Sequence, residues 1–429
     1  MSHAQQYLGL MDRSPQGVGE RFAMENIPWT EPVTSSKFED LLGLNKGSVE
    51  SISIKNMTKP GQNFGSSLLS IELALRDGQT LYLVGKFMPR TEAQKAAFDS
   101  AKTFVKEIHA YRSINVELIK LQRERGVPEE EVCDPMPRYY GSRVNMADDE
   151  SSGADDNAVL LLQNLTRSGY QMGDQKKGLD LAHARLLVEK VAQFQASAVS
   201  LRLLKPQVFS SLIDGKCTFA GMGAEANRQF SNSLMEHFKS FPEVAPYYDR
   251  LRATNDRVCD ISLEKLWAEV VEPYASLSHN DLWVNNMMFL NDVSGNPTSV
   301  KFFDFQTLTY SSPVRDLIFF LYTSVRHDLV RNSVDELTAL YYESFVAWLK
   351  KMGCSTEAFT ETAFRQEIDR VAPTEVMHIL LLLNVLCADE HEKFTPSDEP
   401  DSSPSFSSSE MYRTKALITL QDFDARGWL

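Results

Sequence analysis

The chain has 429 residues, of which 43% are hydrophobic and 24% charged, the balance of a globular protein long enough for two domains or one large two-lobed domain. Its 44 Lys and Arg against 58 Asp and Glu leave a formal net charge of −14, which argues against nucleic acid or an anionic membrane surface as the main partner. A phosphate ligand remains open, because a nucleotide site needs only a local cation and a divalent metal. The five cysteines (Cys133, Cys217, Cys259, Cys354, Cys387) are odd in number and scattered, without CxxC or Cys/His metal spacing, so free thiols are expected. No basic stretch followed by an apolar run opens the sequence. The longest apolar run, Val376 to Ala388, is interrupted by His378 and Asn384 and is short for a bilayer. The expected compartment is the cytosol, with no membrane partner.

Residues 1–46 are polar with scattered apolar positions, and Leu41-Leu42-Gly43-Leu44 marks the end of a first helix. From Val49 the text alternates: Ser51-Ile52-Ser53-Ile54, then Leu68 to Leu75, a turn at Arg76-Asp77-Gly78-Gln79, and Leu81-Tyr82-Leu83-Val84. This predicts three antiparallel strands. Thr91 to Leu121 carries Phe98, Ala101, Phe104, Val105, Ile108 and Tyr111 at helical spacing. Pro135-Met136-Pro137 opens a strand from Arg138 to Met146, an acidic tract around Asp148–Asp156 reads as a solvated hairpin loop, and the chain returns in Ala158 to Leu162. Beyond Asn164 helical patterns take over, with Leu187, Val191, Phe194 and Ala198 as one stripe. The segment 396–409 is a low-complexity insertion within the helical part. The expected division is a β-rich lobe over residues 1–162, a joint over 163–170 and a helical lobe over 171–429.

The most informative stretch is Leu277-Ser-His279-Asn-Asp281-Leu-Trp283-Val-Asn285-Asn286 to Leu290, followed by Ser299-Val-Lys-Phe-Phe-Asp304-Phe-Gln306. Two short apolar strands around Asn291 to Pro297 fold back antiparallel. With the turn centred near Gly295, Leu290 faces Val300, Met287 faces Phe303, and Asn286 comes opposite Asp304. Two bare carboxylates about 4 Å apart repel by about 4 kcal/mol at an effective dielectric of about 20. A divalent cation on Asp304 and the Asn286 oxygen relieves this, and hard oxygen ligands suit Mg²⁺. Asp281 then remains to accept a hydrogen bond from a substrate hydroxyl, the arrangement of phosphoryl transfer. Singly, each of these residues also fits a turn cap; the spaced set does not.

His279-x-Asp281-x-x-x-x-Asn286 with Asp304-Phe305 resembles the catalytic and metal-binding loops of the protein-kinase-like superfamily, in its small-molecule branch of choline and aminoglycoside kinases. The wording H-N-D-L-W-V-N-N-M-M-F, F-F-D-F-Q and Ser312-Pro-Val-Arg-Asp316 to Ser324 is similar to the ecdysteroid kinase-like family of arthropods, from about residue 40 onward. The resemblance implies a two-lobed α+β kinase-like fold, ATP and Mg²⁺ as cofactors, Asp281 as catalytic carboxylate, and Asn286 and Asp304 as metal ligands. It implies Lys86 as the phosphate-binding lysine paired with Glu107, and a phosphate-covering loop at Gly61, Phe64, Gly65 and Ser66. Adenine would meet the backbone around Gln163 and Leu165, while Asp316 would support the loop, through His279. Departures are Gln163 and Asn164, where relatives commonly carry acids, and Gln195, where they often carry histidine.

The acceptor the resemblance implies is a hydroxylated steroid of the ecdysteroid type, in an apolar slot for which Trp283, Trp267, Phe319, Phe320 and Tyr322 are available. Detoxification of foreign glycosides or phenols is the alternative. A choline-like substrate would need an aromatic cage. A non-catalytic binding protein on the same fold would be expected to lack Lys86, Asp281, Asn286 or Asp304, and all four are present.

Overall fold

The computed structural model describes residues 27, 29, 32–57, 66–97, 99–218, 224–261, 265, 269–388 and 406–429. They form two compact units, one of residues up to Ile108 with Arg138–Ser168, the other of His109–Pro137 with Gly169–Leu429.

The first unit is built on five antiparallel strands: β1 (Val49–Asn56), β2 (Ser67–Leu75), β3 (Thr80–Phe87), β4 (Tyr139–Arg143) and β5 (Val159–Gln163), in the order β1-β2-β3-β5-β4. Period-two patterning explains the faces. Ile71, Leu73, Leu83, Phe87, Val159 and Leu161 are buried in one apolar cluster, with Phe38 of helix α1 (Ser35–Leu42) on top of it. Gly141 of β4 lies so close to α1 that an added Cβ would stand 2.1 Å from the Leu41 carbonyl oxygen. Backbone cannot yield as a side chain can, so Gly141→Ala should destabilise the protein by about 3 kcal/mol, at the upper end of overpacking costs. Urea unfolding checks this; a loss below about 1 kcal/mol would mean that α1 moves aside freely.

Helices α2 (Glu92–Ala97) and α3 (Ser100–His109) follow β3 in the chain, before β4 and β5 complete the sheet. The acidic tract is exposed over 146–149, as expected of a solvated loop, and is tied down by hydrogen bonds within itself and to α2 and α3. Asn145 donates its amide to the carbonyls of Asp149 (2.6 Å) and Gly153 (2.9 Å), Ala154 N–H reaches Ala101 O at 3.0 Å, and Asp156 takes Lys95 at 2.5 Å.

In the second unit the chain after α3 runs through a π-helical turn (Ala110–Ile114) into α4 (Asn115–Glu124). A small sheet of β6 (Gln171–Met172), β8 (Met287–Asn291) and β9 (Pro297–Phe302) and a pair of β7 (Ser276–Ser278) with β10 (Thr309–Ser311) are surrounded by helices. These are α5 (Leu181–Leu204), α6 (Pro206–Ile213), α7 (Ala224–Phe238), α8 (Ala245–Ile261), α9 (Val314–Ser324), α10 (His327–Lys351), α11 (Glu361–Cys387) and α12 (Glu410–Arg426). Every residue of α9 is buried, which makes it the central helix of this unit.

Residues 109–137 group with this unit, where the sequence reading places them in the first lobe. The cause is a set of polar ties: Arg125 Nε to Met352 O at 2.8 Å, Lys301 Nζ to Asp134 O at 2.6 Å, and Phe302 N–H to Pro135 O at 2.9 Å. The apolar run read at Val376–Ala388 is the second half of the 27-residue α11, which is long and apolar enough to cross a membrane; 61% of its most apolar window is buried inside the protein, which marks it as a core helix here.

Candidate active site

In the first unit, Lys86 sits on β3 between β2 and β5, paired with Leu68 and Leu160. Alternation turns Leu83 and Phe87 to the apolar cluster and Lys86 to the opposite face. Its ammonium meets Glu107 of α3 at 2.5 Å, with Lys86 5% and Glu107 2% exposed. A charge so buried is tolerable only when paired. The 145–157 loop described above holds the start of the helix that carries Glu107.

In the second unit, β7 leads into His279-Asn280-Asp281. Asn280 adopts φ 61°, the left-handed region in which Asn is among the few tolerated side chains. Its amide donates to Thr307 O at 2.9 Å and Thr309 Oγ1 at 2.8 Å. The His279 ring bonds Phe303 O through Nε2 at 2.8 Å, which puts the proton there, so Nδ1 accepts from Asp281 N–H at 3.3 Å. Trp283 N–H donates to Asp281 O at 3.1 Å, and Asn286 N–H to Trp283 O at 2.8 Å.

The Asn286 amide nitrogen donates to both Asp281 O (2.8 Å) and Asp281 Oδ2 (2.9 Å). Both amide hydrogens are thereby used, and Oδ1 of this buried side chain is left without a hydrogen bond among the described residues.

The hairpin register is one residue tighter than expected. Met287 faces Phe302 and Leu290 faces Ser299, with an irregularity before Asn291 and Pro297. The expectation counted a symmetric turn. In fact Asp292 Oδ1 gathers the N–H groups of Ser294 (2.8 Å) and Asn296 (2.9 Å) and closes the turn early. Asn286 O therefore accepts from Phe303 N–H at 3.0 Å, and Asp304 is the next residue, turned by a left-handed φ of 70°. Such a conformation costs about 1 kcal/mol or more for a residue with a Cβ. Among the described residues no three His, Cys, Asp or Glu side chains gather as a metal cluster. A site of one carboxylate and one carboxamide would complete its shell with phosphate and water oxygens.

Asp316, at the start of α9, is 1% exposed and reaches the loop through its backbone rather than through the His279 ring. Its Oδ2 accepts His279 N–H at 2.7 Å and its Oδ1 accepts Asn280 N–H at 2.7 Å. Burial pushes its carboxyl up to about 7, against the pull of those two backbone donors. Beside it Arg315 is paired with Glu375 of α11, whose carboxyl is held below its usual range despite burial, by Arg315 and His378.

Gly61, Phe64 and Gly65 lie outside the described residues, as do Trp267 and most of 396–409, while Ser66 is buried just before β2. Gln163 ends β5, accepting Arg138 N–H at 3.3 Å and donating to Ser168 Oγ at 2.8 Å; Leu165 is buried. Asn164 donates to Ser70 Oγ at 3.2 Å and accepts Arg167 N–H at 3.3 Å, so the two neutral amides knit the turn that follows the strand. Phe319, Phe320 and Tyr322 are buried core residues: Phe319 stacks on His378 at 4.1 Å, and the Tyr322 hydroxyl donates to Asp422. Trp283 is half-buried, and its indole N–H has no hydrogen-bond partner among the described residues.

Three positions that hold the loop were not read from the sequence: Asn280, Thr307, whose hydroxyl donates to His279 O at 2.7 Å, and Ser324, whose hydroxyl takes Val284 N–H at 3.0 Å. Asn280 was the legible one, since an Asn next to a loop Asp favours the left-handed region.

An antiparallel β unit with a buried lysine–glutamate pair, and a helical unit whose short hairpin follows an Asp/Asn loop, define a kinase-like α+β protein. Residues 60–354 match the ecdysteroid kinase-like family, and the chain belongs to that family. Membership implies a small-molecule kinase-like function, of a kind that generally uses ATP and Mg²⁺. A search of curated proteins returned no match.

Proposed function

We propose that the protein transfers the γ-phosphoryl group of ATP to a hydroxyl of an ecdysteroid-like steroid, giving a phosphate conjugate. The observation that carries the reading is the Asp281–Asn286 contact, which spends both hydrogens of the Asn286 amide and leaves Oδ1 as an unused hard donor. That donor and Asp304, held in a left-handed conformation, fit Mg²⁺, which supplies charge neutralisation at the phosphates when bound. Lys86, paired with Glu107, is the cation for phosphate oxygens. Asp281 orients the acceptor hydroxyl and takes its proton. His279 holds the Asp281 backbone against Phe303, one residue before Asp304. For the acceptor, family membership and the half-buried Trp283 ring within the loop support a hydroxylated apolar ligand.

The first test is thermal unfolding with ATP, with and without Mg²⁺. Ligand at about 100 times its Kd adds about 2.7 kcal/mol, and the added stability should require the metal. Asp304→Asn should remove the metal-dependent part while leaving unliganded stability within about 1 kcal/mol. Stabilisation by ATP that ignores Mg²⁺ would count against this metal site. The acceptor is then tested by a phosphate-transfer screen over ecdysteroids, plant glycosides, phenols and choline-like amines; transfer to glycosides or phenols but not to ecdysteroids would overturn the steroid assignment.

A further inference from the structure

Gln195 lies in the middle of α5 and is completely buried. Its Oε1 accepts the Tyr341 hydroxyl of α10 at 2.6 Å, and its Nε2 donates to Asp316 Oδ2 at 2.8 Å and to Leu277 O at 3.2 Å. Its own carbonyl accepts Ser276 Oγ at 2.7 Å. The amide can sit in only one orientation: turned over, Oε1 would face the Leu277 carbonyl and the Asp316 carboxylate, two acceptors, and Nε2 would face a hydroxyl already placed to donate.

We propose that Gln195 is a positioning residue that keeps Asp316 in its acceptor form, and through Asp316 holds the His279–Asn280 backbone that presents Asp281. The proposal rests on the reading of Asp281 as the catalytic carboxylate. The hydrogen-bond count carries it. Asp316 receives N–H donors from His279 and Gln195 on Oδ2 and from Asn280 on Oδ1, so both acceptor sites of Oδ2 are taken and a proton finds room only on the second site of Oδ1. Two of the donors belong to the loop that must be held. Among the described residues Gln195 is the donor supplied from outside that loop, and a neutral amide keeps donating at every pH, where an imidazole or carboxyl at the same place would titrate.

Among the described residues, the charged and titratable groups around this node are few. Helix α9 contributes Arg315 beside Asp316, α11 contributes Glu375 paired with Arg315 and bonded to His378 at 3.1 Å, and α10 contributes Tyr341. The loop contributes His279, whose ring is turned to Phe303 O. Strand β7 brings only Ser276, Leu277 and Ser278. Burial, the largest influence, and Glu375 disfavour the ionised carboxylate, while the His279 and Asn280 N–H groups and Arg315 favour it; the Gln195 amide is a further donor on the favouring side.

The experiment compares Gln195→Leu, Gln195→Glu and wild type in two readouts: the pH profile of kcat on a verified acceptor, and amide hydrogen exchange of residues 276–283 between pH 5.5 and pH 8.5, taken as the variant-to-wild-type ratio at each pH. Gln195→Leu should move the acid limb of kcat upward by about one pH unit, the scale of one lost hydrogen bond to a charged group, with KM for ATP unchanged within about twofold. Its exchange ratio at His279 and Asn280 should rise about tenfold as the pH falls. Gln195→Glu should do the reverse, with its kcat relative to wild type lowest at pH 8.5 and recovering toward pH 5.5, where the introduced carboxyl can donate. If Gln195→Leu does not fold, the Gln195→Glu profile decides alone. Profiles parallel to wild type, including a uniform loss at every pH, would overturn the proposal and reduce Gln195 to a packing residue. A protein that transfers no phosphate to any acceptor would sink the kinase reading, while the exchange ratios would still decide whether Gln195 governs the loop.

Discussion

Asp281→Asn is expected to lower turnover by about 10²–10⁴-fold, the usual scale for losing a general base, with ATP·Mg²⁺ affinity nearly unchanged. Asp281 Oδ2 accepts from the Asn286 amide at 2.9 Å, so a carboxamide at position 281 would turn its oxygen to Asn286 and its NH₂ outward. The outward group would then be a donor where the acceptor hydroxyl needs an acceptor. Affinity for the metal nucleotide should survive, because the residues assigned to the metal are Asn286 and Asp304. In a loose, metaphosphate-like transition state little deprotonation of the attacking oxygen is needed until late. A carboxylate of ordinary basicity therefore suffices, and a variant that cannot take the proton still binds substrates. Steady-state kinetics on an acceptor found in the screen, with nucleotide affinity measured by titration, checks both halves. Turnover within about tenfold of wild type would show that another group orients the acceptor. An equal loss of ATP·Mg²⁺ affinity would place Asp281 among the metal ligands.

The α+β architecture was legible because two periodicities separate cleanly: strands alternate between Val49 and Gln163, and apolar stripes such as Leu187, Val191 and Phe194 recur at helical spacing afterwards. Spacing also exposed the candidate site, since His279, Asp281, Asn286 and Asp304 fall within 26 residues and a short hairpin needs no long-range information. What stayed hidden depends on partners distant in sequence. The one-residue register error came from Asp292 closing its turn, a side-chain-to-backbone effect that a count of residues misses. Gln195 read as a departure from relatives, and its importance depends on Tyr341 and Asp316, 146 and 121 residues away. Residues 109–137 looked like part of the β-rich lobe because they continue its helix, while polar ties to Lys301 and Met352 draw them elsewhere. Aromatic residues offered as ligand wall, Phe319 and Tyr322, proved to be interior, the commoner fate of aromatics on an all-buried helix.

Lys86→Met should lower the free energy of unfolding by about 3–5 kcal/mol and abolish productive nucleotide use. The two losses have different origins, which makes them separable. Glu107 is 2% exposed and stands 2.5 Å from the lysine ammonium. Removing one member of a buried ion pair takes from the other its close opposite charge, and that, rather than the strength of the pair itself, sets the cost. A well-packed apolar replacement of both partners is often neutral or better. The double substitution Lys86→Met with Glu107→Leu should therefore recover most of the lost stability, a strong positive coupling in a double-mutant cycle. It should recover none of the activity, because the cation for the phosphate oxygens is still missing. Urea unfolding of the four proteins of the cycle, alongside turnover, gives the answer. A single Lys86→Met loss below about 1 kcal/mol would mean that the pair is solvated in solution and holds nothing together. A stable double variant that still transferred phosphate would remove Lys86 from the chemistry. Recovery of stability without activity would separate what the pair does for the β unit from what its lysine does for the nucleotide.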